Sequence, residues 1–119
     1  MVVDGDTLRC NNELLRLIGI DAPEMPGHCR EERDCAPGDP VASKNALQAA
    51  SLDSPEISRQ GRDRYGRTLV RVKVNGVDLS CAQLATGHAI YRSDWDQFGL
   101  VGEDCNVVDR RAKRTPMAG

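Results

Sequence analysis

A stretch of alternating residues followed by a tight-turn pair is the feature that most limits how this chain can fold. From Val70 to Val74 apolar and basic side chains alternate, and Asn75-Gly76 follows directly. A period of two is typical of a half-buried β-strand, and Asn-Gly is a pair that a two-residue hairpin turn favours. The chain is therefore predicted to contain a β-sheet, with a strand over Thr68–Val74 and a hairpin after it.

Four other short segments are predicted to be strands, because each is rich in apolar residues and ends near turn-forming residues. They are Thr7–Cys10, Leu14–Ile20, Glu56–Arg59 and His88–Tyr91. The first two are joined by Asn11-Asn12, a pair that tolerates the positive φ of a tight hairpin. Between Asp21 and Gly38, three prolines and two glycines predict a long loop.

Three helices are also predicted. The first begins at Asp39-Pro40, which supplies an N-cap carboxylate and a proline at the first helical position. Its apolar residues near one face, which we expect to be buried, are Val41, Ala42, Ala46 and Ala49. A second helix is predicted over Asp78–Thr86, and a third over Glu103–Arg114.

Short strands with turn residues at the corners, combined with two or three helices, favour an α+β, mainly β, fold built as a small barrel of the OB type. A chain of 119 residues is long enough to form one domain that folds alone. We therefore expect a single domain over residues 1–119. Within it, residues 90–119 are expected to form a C-terminal tail with a short helix.

Composition argues against two classes of function. The formal net charge is −2 at pH 7, which argues against a protein that coats nucleic acid non-specifically. No apolar stretch approaches the roughly 20 residues that a membrane-spanning helix needs, so we expect no membrane partner. We also expect a monomer. Hydrophobic residues make up 39% and charged residues 29% of the chain, as in ordinary globular proteins.

The charges are segregated along the chain. Residues 59–73 carry six basic side chains and one acid, Asp63, whereas residues 21–39 carry six acidic side chains with Arg30 and Arg33. Segregation of this kind suits a site that holds a cation beside a polyanion. Solvated loops of opposite charge would give the same pattern, so both interpretations stay open at this point.

Acidic residues lie at the ends of the first strand candidates. Asp4 and Asp6 flank a glycine in "VVDGDTL", and Asp21 lies where the strand in "RLIGIDAPE" ends. Ala22 follows and offers only its carbonyl oxygen. Ca²⁺ takes six to eight oxygen ligands, so these residues predict a calcium site. Taken alone, the Asp-Gly-Asp motif is more typical of a plain turn.

Two arginines on different strands complete the candidate site. Arg16 lies within the second strand candidate, and Arg67 directly precedes Thr68–Val74 in "RDRYGRTLV". Each guanidinium can donate two parallel hydrogen bonds to a phosphate and neutralise charge that develops in the transition state. Glu24 is then a candidate for holding or deprotonating the attacking water. Each residue alone is typical of a protein surface, and it is their joint occurrence that predicts a site.

The motifs "VVDGDTL", "RLIGIDAPE", "RDRYGRTLV" and "GVDLSCAQLATGHA" occur in the order found in the staphylococcal nuclease (thermonuclease) family, which this chain resembles over about Val2–Tyr91. The resemblance implies a five-stranded OB-type Greek-key barrel with three helices. It also implies calcium-dependent hydrolysis of DNA and RNA phosphodiesters that leaves a 3′-phosphate. The C-terminal sequence "VVDRRAKRTPMAG" resembles the last family helix only loosely.

The resemblance also implies a role for each matching residue. Asp6, Asp21 and the Ala22 carbonyl correspond to calcium ligands, with Asp4 acting through water. Arg16 and Arg67 correspond to the arginines that hold the scissile phosphate, and Glu24 to the carboxylate that activates water. The remaining two matches are to residues that contact a terminal phosphate of the bound nucleotide, namely Arg64 and Tyr65. Tyr91 and Trp95, in contrast, are expected to pack in the core or against the tail.

Five cysteines leave their pairing open. Our predicted pairs are Cys29–Cys35, within the long loop, and Cys81–Cys105, between the second helix and the tail, with Cys10 left over. A zinc site at His28, Cys29 and Cys35 is the less favoured alternative, because a fourth ligand is not evident, and unpaired thiols are the other. If disulfides form, the compartment is oxidising, and we expect a secreted or periplasmic protein.

Two other functions are compatible with the sequence. One is a catalytically idle OB-type module that binds nucleic acid without cleaving it, since folds of this type commonly bind oligonucleotides. The other is a partner-binding domain that uses the acidic loop. Neither explains why five residues of catalytic type occur in order, so a nuclease acting on DNA, RNA or both is the favoured hypothesis.

Overall fold

Turn residues divide the N-terminal part of the chain into short strands. In the computed structural model, which describes residues 1–25 and 35–106, the first three strands pair antiparallel in chain order. They are β1 (Val2–Asp4), β2 (Thr7–Cys10) and β3 (Glu13–Leu17). Asn11 and Asn12 have φ values of 49° and 69°, so the predicted asparagine hairpin is confirmed.

The predicted strand Leu14–Ile20 is wrong as a single element. Gly19 has a φ of 78°, a conformation that interrupts an extended strand, and it separates β3 from β4 (Ile20–Asp21). Strand β4 pairs antiparallel with β8 (Ile90–Tyr91) in a separate two-stranded sheet, in which Asp21 is opposite Ile90. This sheet brings Asp21 beside the C-terminal part of the described chain.

The alternating segment forms the strand that joins the two halves of the main sheet. Strand β6 (Thr68–Val74) is parallel to β3 and antiparallel to its other neighbours, β5 (Glu56–Arg62) and β7 (Val77–Asp78). Asn75-Gly76 forms the predicted turn, with φ values of 52° and 80°. Strand β5 continues to Arg62, beyond its predicted end at Arg59. The sheet is therefore mixed, and the α+β fold class is confirmed.

The first helix begins as predicted but buries a different face. Helix α1 (Pro40–Ala50) is capped by Asp39, whose carboxylate accepts hydrogen bonds from the backbone N–H groups of Val41 and Ala42 at 3.0 and 3.2 Å. Ser43 and Leu47 are buried, whereas Val41 is half exposed. Of the predicted apolar face, Ala42 and Ala46 are half-buried but Val41 and Ala49 are exposed, because a helix this rich in alanine has only a weak apolar pattern.

Helix α2 (Leu79–Ala85) confirms the second predicted helix, with Asp78 as its N-cap. It packs beside a core that is aliphatic, as the scarcity of aromatic residues requires. The fully buried aliphatic side chains include Leu15, Leu17, Ile20, Leu47, Val70, Val72, Leu79 and Val101. Each contributes about 1.5–3 kcal/mol relative to an exposed position. In the described ranges, no helix combines the length and hydrophobicity needed to cross a membrane.

Helix α3 (Leu100–Cys105) begins earlier than predicted, and the rest of the predicted Glu103–Arg114 helix lies largely outside the described residues.

A disulfide joins Cys81 to Cys105, which confirms that predicted pair. Cys10 is free and exposed, as expected. Cys35 is also disulfide-bonded, but its predicted partner, like His28 of the zinc alternative, is outside the described residues. Arg71 adds an ionic link by pairing with Asp78 at 2.8 Å and with Asp104 at 2.6 Å.

The ionised carboxylate of Glu13 should make the stability of the fold depend on pH in the acidic range. Its carboxylate accepts hydrogen bonds from Arg59 at 2.7 and 3.0 Å and from Thr68 at 2.8 Å. These bonds, first that from Arg59, lower the pKa of Glu13 to about 2. Because the folded-state pKa is depressed, this stabilisation is complete above the unfolded pKa of about 4.3 and is lost as the pH falls towards 2.

We expect thermal unfolding between pH 5 and 2 to show a larger loss of stability in the parent than in Glu13→Gln. A carboxyl-detected NMR titration should place the midpoint of Glu13 near 2. A midpoint near 4.3 would contradict the structure.

Substitution by alanine should cost more stability at Gly19 than at Gly87, a glycine with a similar φ. Gly87 has a φ of 76° and open space around its Cβ position, whereas a Cβ at Gly19 would lie 2.9 Å from the Val101 Cβ. Both alanine variants lose about 1 kcal/mol or more to the left-handed backbone, and Gly19→Ala loses roughly a further 1–3 kcal/mol to the clash. Urea unfolding of the two variants measures the difference. Equal stabilities would contradict the packing of α3 on Gly19.

Candidate functional site

The Asp-Gly-Asp turn is held in place by two helices. A Cβ at Gly5 would lie 1.8 Å from the Ser43 Oγ, so α1 approaches the turn too closely for any side chain. The buried Gln83 of α2 donates a hydrogen bond to the Gly5 carbonyl at 2.8 Å and another to the Ser43 carbonyl at 3.0 Å. The turn is therefore fixed in position, and with it the acidic residues on either side.

Asp6 joins the strands that carry the other candidate residues. Its carboxylate is 6% exposed and accepts hydrogen bonds from the Ala22 N–H and the Thr7 hydroxyl, both at 2.8 Å. The same Oδ2 that binds Ala22 lies 3.3 Å from Arg16 Nη2. Arg16 is itself buried, and its Nη1 donates to the Leu17 carbonyl at 2.7 Å. The structure thus brings together three of the predicted positions, Asp6, Arg16 and Ala22.

Asp21 lies at the end of β4 and is 2% exposed. Its Oδ2 lies 3.6 Å from Nη1 of Arg92, a residue that the sequence analysis did not select. Asp4 lies at the end of β1 and Glu24 is half-buried three residues beyond Asp21. Both make further contacts.

Asp6 contacts Ala22, the residue after β4, but the predicted acidic ligands do not form a compact trio. Within the described ranges, only Asp78, Cys81 and Cys105 place three potential ligand atoms within 4.8 Å of one another. Two of these are the disulfide-bonded cysteines, so this group is not a site for a hard cation. The acidic set does offer the donor chemistry that calcium prefers, because Asp6 and Asp21 are buried carboxylates.

The "DRYGR" turn fixes Arg67. The Asp63 carboxylate accepts hydrogen bonds from the N–H groups of Tyr65 at 2.9 Å and Arg67 at 3.0 Å, and from Arg67 Nε at 2.7 Å. Burial raises the pKa of Asp63, but the hydrogen bonds and charge of Arg67 outweigh that effect and hold the pKa below its usual range. Asp63 therefore stays ionised and keeps Arg67 in place.

A cavity of about 920 Å³ lies between this turn and β3. Its lining brings together four predicted residues, Arg16, Arg64, Tyr65 and Arg67. The Tyr65 side chain is exposed, and the guanidinium carbons of Arg64 and Arg67 lie 5.0 and 5.6 Å from its ring centroid. Five other predicted residues are not part of the lining: Asp4, Asp6, Asp21, Ala22 and Glu24. Of these five, Asp6 contacts the cavity wall through Arg16, and Ala22 contacts Asp6.

Trp95, which was expected to pack in the core or against the tail, is half-buried at the wall of the cavity. Trp95 lines the cavity, and its ring centroid lies 5.3 Å from the Arg16 guanidinium carbon and 4.0 Å from that of Arg92. Its sequence context offered a signal, because a lone tryptophan between Asp94 and Asp96 is more typical of a surface contact than of a core. Tyr91 does pack as expected, with its hydroxyl donating to Asp96 at 2.5 Å beside Gly102.

Comparisons with known proteins give one match that bears on this chain. No family model matches it. The chain is 35% identical over 102 residues to the succinoglycan biosynthesis protein ExoI of Rhizobium meliloti (strain 1021). The match covers 83% of this chain and 53% of ExoI, so the chain spans about half the length of that relative.

Gly5→Ala should destabilise the protein through its contact with Ser43. We expect a loss of about 1–3 kcal/mol, because the added methyl group overpacks the contact between the turn and α1. Ser43→Ala removes the nearest atom, so the cost of Gly5→Ala should be smaller in that background. A double-mutant cycle by urea unfolding measures this coupling. Additive losses would show that Ser43 is not the obstacle.

Proposed function

We propose that this domain is a calcium-dependent nuclease of the staphylococcal nuclease type, which hydrolyses phosphodiester bonds of DNA or RNA and leaves 3′-phosphate products. The observation that carries the proposal is the position of Arg16 and Arg67. In the parallel pairing of β3 with β6, Arg16 is opposite Leu69, and Arg67 precedes Leu69 by two residues. Arg67 therefore lies just before β6, close to the level of Arg16, and both arginines line the same cavity.

These two arginines are proposed to hold the scissile phosphate. Asp6 orients Arg16 and Asp63 orients Arg67, so both guanidinium groups are preorganised before substrate binds. Arg64 and Tyr65 extend the same wall and are proposed to contact a terminal phosphate. Glu24 is proposed to hold or deprotonate the attacking water. It follows Asp21 by three residues and is half-buried.

Calcium is proposed to bind at Asp6, Asp21 and the Ala22 carbonyl, with Asp4 contributing through a water molecule. The fit rests on the donor set, which consists of oxygen atoms only and includes two carboxylates that are 6% and 2% exposed. When bound, the ion supplies a positive charge that stabilises negative charge on the reacting phosphate. The chain's own contribution is to hold the Asp6 carboxylate beside Arg16 and the Asp21 carboxylate beside Arg92.

The five-stranded OB-type Greek-key barrel is part of the same proposal. The mixed sheet supports it, because β1, β2 and β3 continue through the parallel partner β6 to β5. A secreted or periplasmic location is supported by the Cys81–Cys105 disulfide and by the disulfide-bonded Cys35. The name of ExoI refers to succinoglycan biosynthesis and does not describe a nuclease, so the proposed activity rests on the motifs and the cavity.

The decisive assay is cleavage of single-stranded DNA, double-stranded DNA and RNA by the purified protein, in calcium and in excess chelator. We expect cleavage only with calcium. Asp21→Asn should abolish it, and Arg67→Ala should lower the rate by at least about 100-fold, as expected for loss of a transition-state contact. Arg59→Ala is the matched control, because this basic residue pairs with Glu13 and is not part of the cavity lining. Its rate should stay within about threefold of the parent.

The same purified protein distinguishes the nuclease from the alternative function, a module that only binds nucleic acid. Oligonucleotide binding that depends on Arg67 without any cleavage by the folded parent would contradict the nuclease and favour the idle binding module. Neither binding nor cleavage would contradict both. Products that carry a 5′-phosphate would contradict the proposed chemistry even if cleavage requires calcium.

A further inference from the structure

Arg92 faces the carboxylate of Asp21 from outside the set of residues that the resemblance selects. Its Nη1 lies 3.6 Å from Asp21 Oδ2, and the two side chains are 17% and 2% exposed. A buried pair at this distance interacts strongly, because little water screens it. Arg92 thus places a fixed positive charge beside one of the carboxylates proposed to bind calcium.

The backbone fixes Arg92 relative to Asp21. The Arg92 N–H donates to the Gly19 carbonyl at 2.9 Å, and the Gly19 N–H donates to the Trp95 carbonyl at the same distance. Gly19 lies two residues before Asp21, and Ile90, two residues before Arg92, pairs with Asp21 across β4 and β8. The position of Arg92 therefore follows from the sheet and is not the chance placement of a surface side chain.

The Arg92 side chain is held on two further sides. Asp94 accepts its Nε and Nη2 hydrogen bonds at 2.9 and 2.7 Å, a bidentate arrangement. The Trp95 ring lies 4.0 Å from the guanidinium carbon, within the range of a cation–π contact. Asp94 and Trp95 together hold the guanidinium against Asp21, so its charge is preorganised there.

We propose that Arg92 is a built-in counter-charge of Asp21 that competes with Ca²⁺ for this carboxylate and sets the affinity of the calcium site. Without the ion, the guanidinium compensates the charge of a buried carboxylate, which would otherwise be costly. A divalent cation at Asp21 meets the positive charge of Arg92 and binds less tightly than it would in its absence. This inference rests on the proposed calcium site and assigns its affinity to a residue outside it.

The test measures ion binding without substrate. Ca²⁺ affinity is determined by calorimetry, and Tb³⁺ is used as a luminescent probe excited through Trp95, the only tryptophan in the chain. We expect Arg92→Gln to bind both ions at least about tenfold more tightly, because a repelling charge is removed. Arg92→Lys keeps the charge and should bind within about threefold of the parent. Arg59→Gln removes a charge that pairs with Glu13 and should change the affinity less than about twofold.

Thermal unfolding gives a second readout that also shows whether the variants fold. In chelator, Arg92→Gln should melt below the parent, because Asp21 loses its compensating charge. Saturating calcium should raise its melting temperature more than that of the parent, since tighter binding to the folded state stabilises it further.

An unchanged or weaker Ca²⁺ affinity in Arg92→Gln would overturn the proposal. A gain in Ca²⁺ affinity that is as large in Arg92→Lys as in Arg92→Gln would also overturn it, because it would indicate an effect of packing and not of charge. Failure of the proposed nuclease would appear separately, as the absence of cleavage by a parent that still binds the ion.

Discussion

The carboxylate of Asp6 is the junction on which the candidate site depends. It accepts a hydrogen bond from the Ala22 N–H, faces Arg16 and is oriented by Thr7, so one side chain connects the turn after β1 to β3 and to the end of β4. A buried carboxylate needs such partners, since an uncompensated charge away from water is costly. Gly5 makes this junction possible, because only a residue without a side chain lets α1 approach the turn.

The cavity and the acidic set are built by different parts of the fold. The parallel pairing of β3 with β6 aligns Arg16 and Arg67, and Asp63 closes the turn that presents Arg67. The position of Asp21 depends instead on the small sheet of β4 and β8, which brings Arg92 beside it. Arg16 is the residue that belongs to both, since it pairs with Asp6 and lines the cavity.

The elements predicted correctly from the sequence are those whose chemistry is local. Asn11-Asn12, Asn75-Gly76 and the Asp39-Pro40 cap each determine a turn or a helix start through their own conformational preferences. The buried face of α1 was predicted wrongly, because Ser43 is buried by the close approach of Gly5 and Gln83, which no hydrophobic pattern records. Arg92 and Trp95 were missed for a similar reason, as their roles follow from the pairing of β4 with β8. That pairing joins residues about 70 positions apart, a distance that local patterns do not reach.

The pairing of β4 with β8 also has a consequence for biosynthesis. Asp6 and Arg16 leave the ribosome before residues 90–95, which supply the strand opposite Asp21 and the wall formed by Trp95, and α3 is secured by a bond to Cys105. A nascent chain that ends before β8 lacks these parts, however well its first strands are paired. The site is therefore assembled only after residues 90–95 have been synthesised, and the disulfide to Cys105 can form only after that.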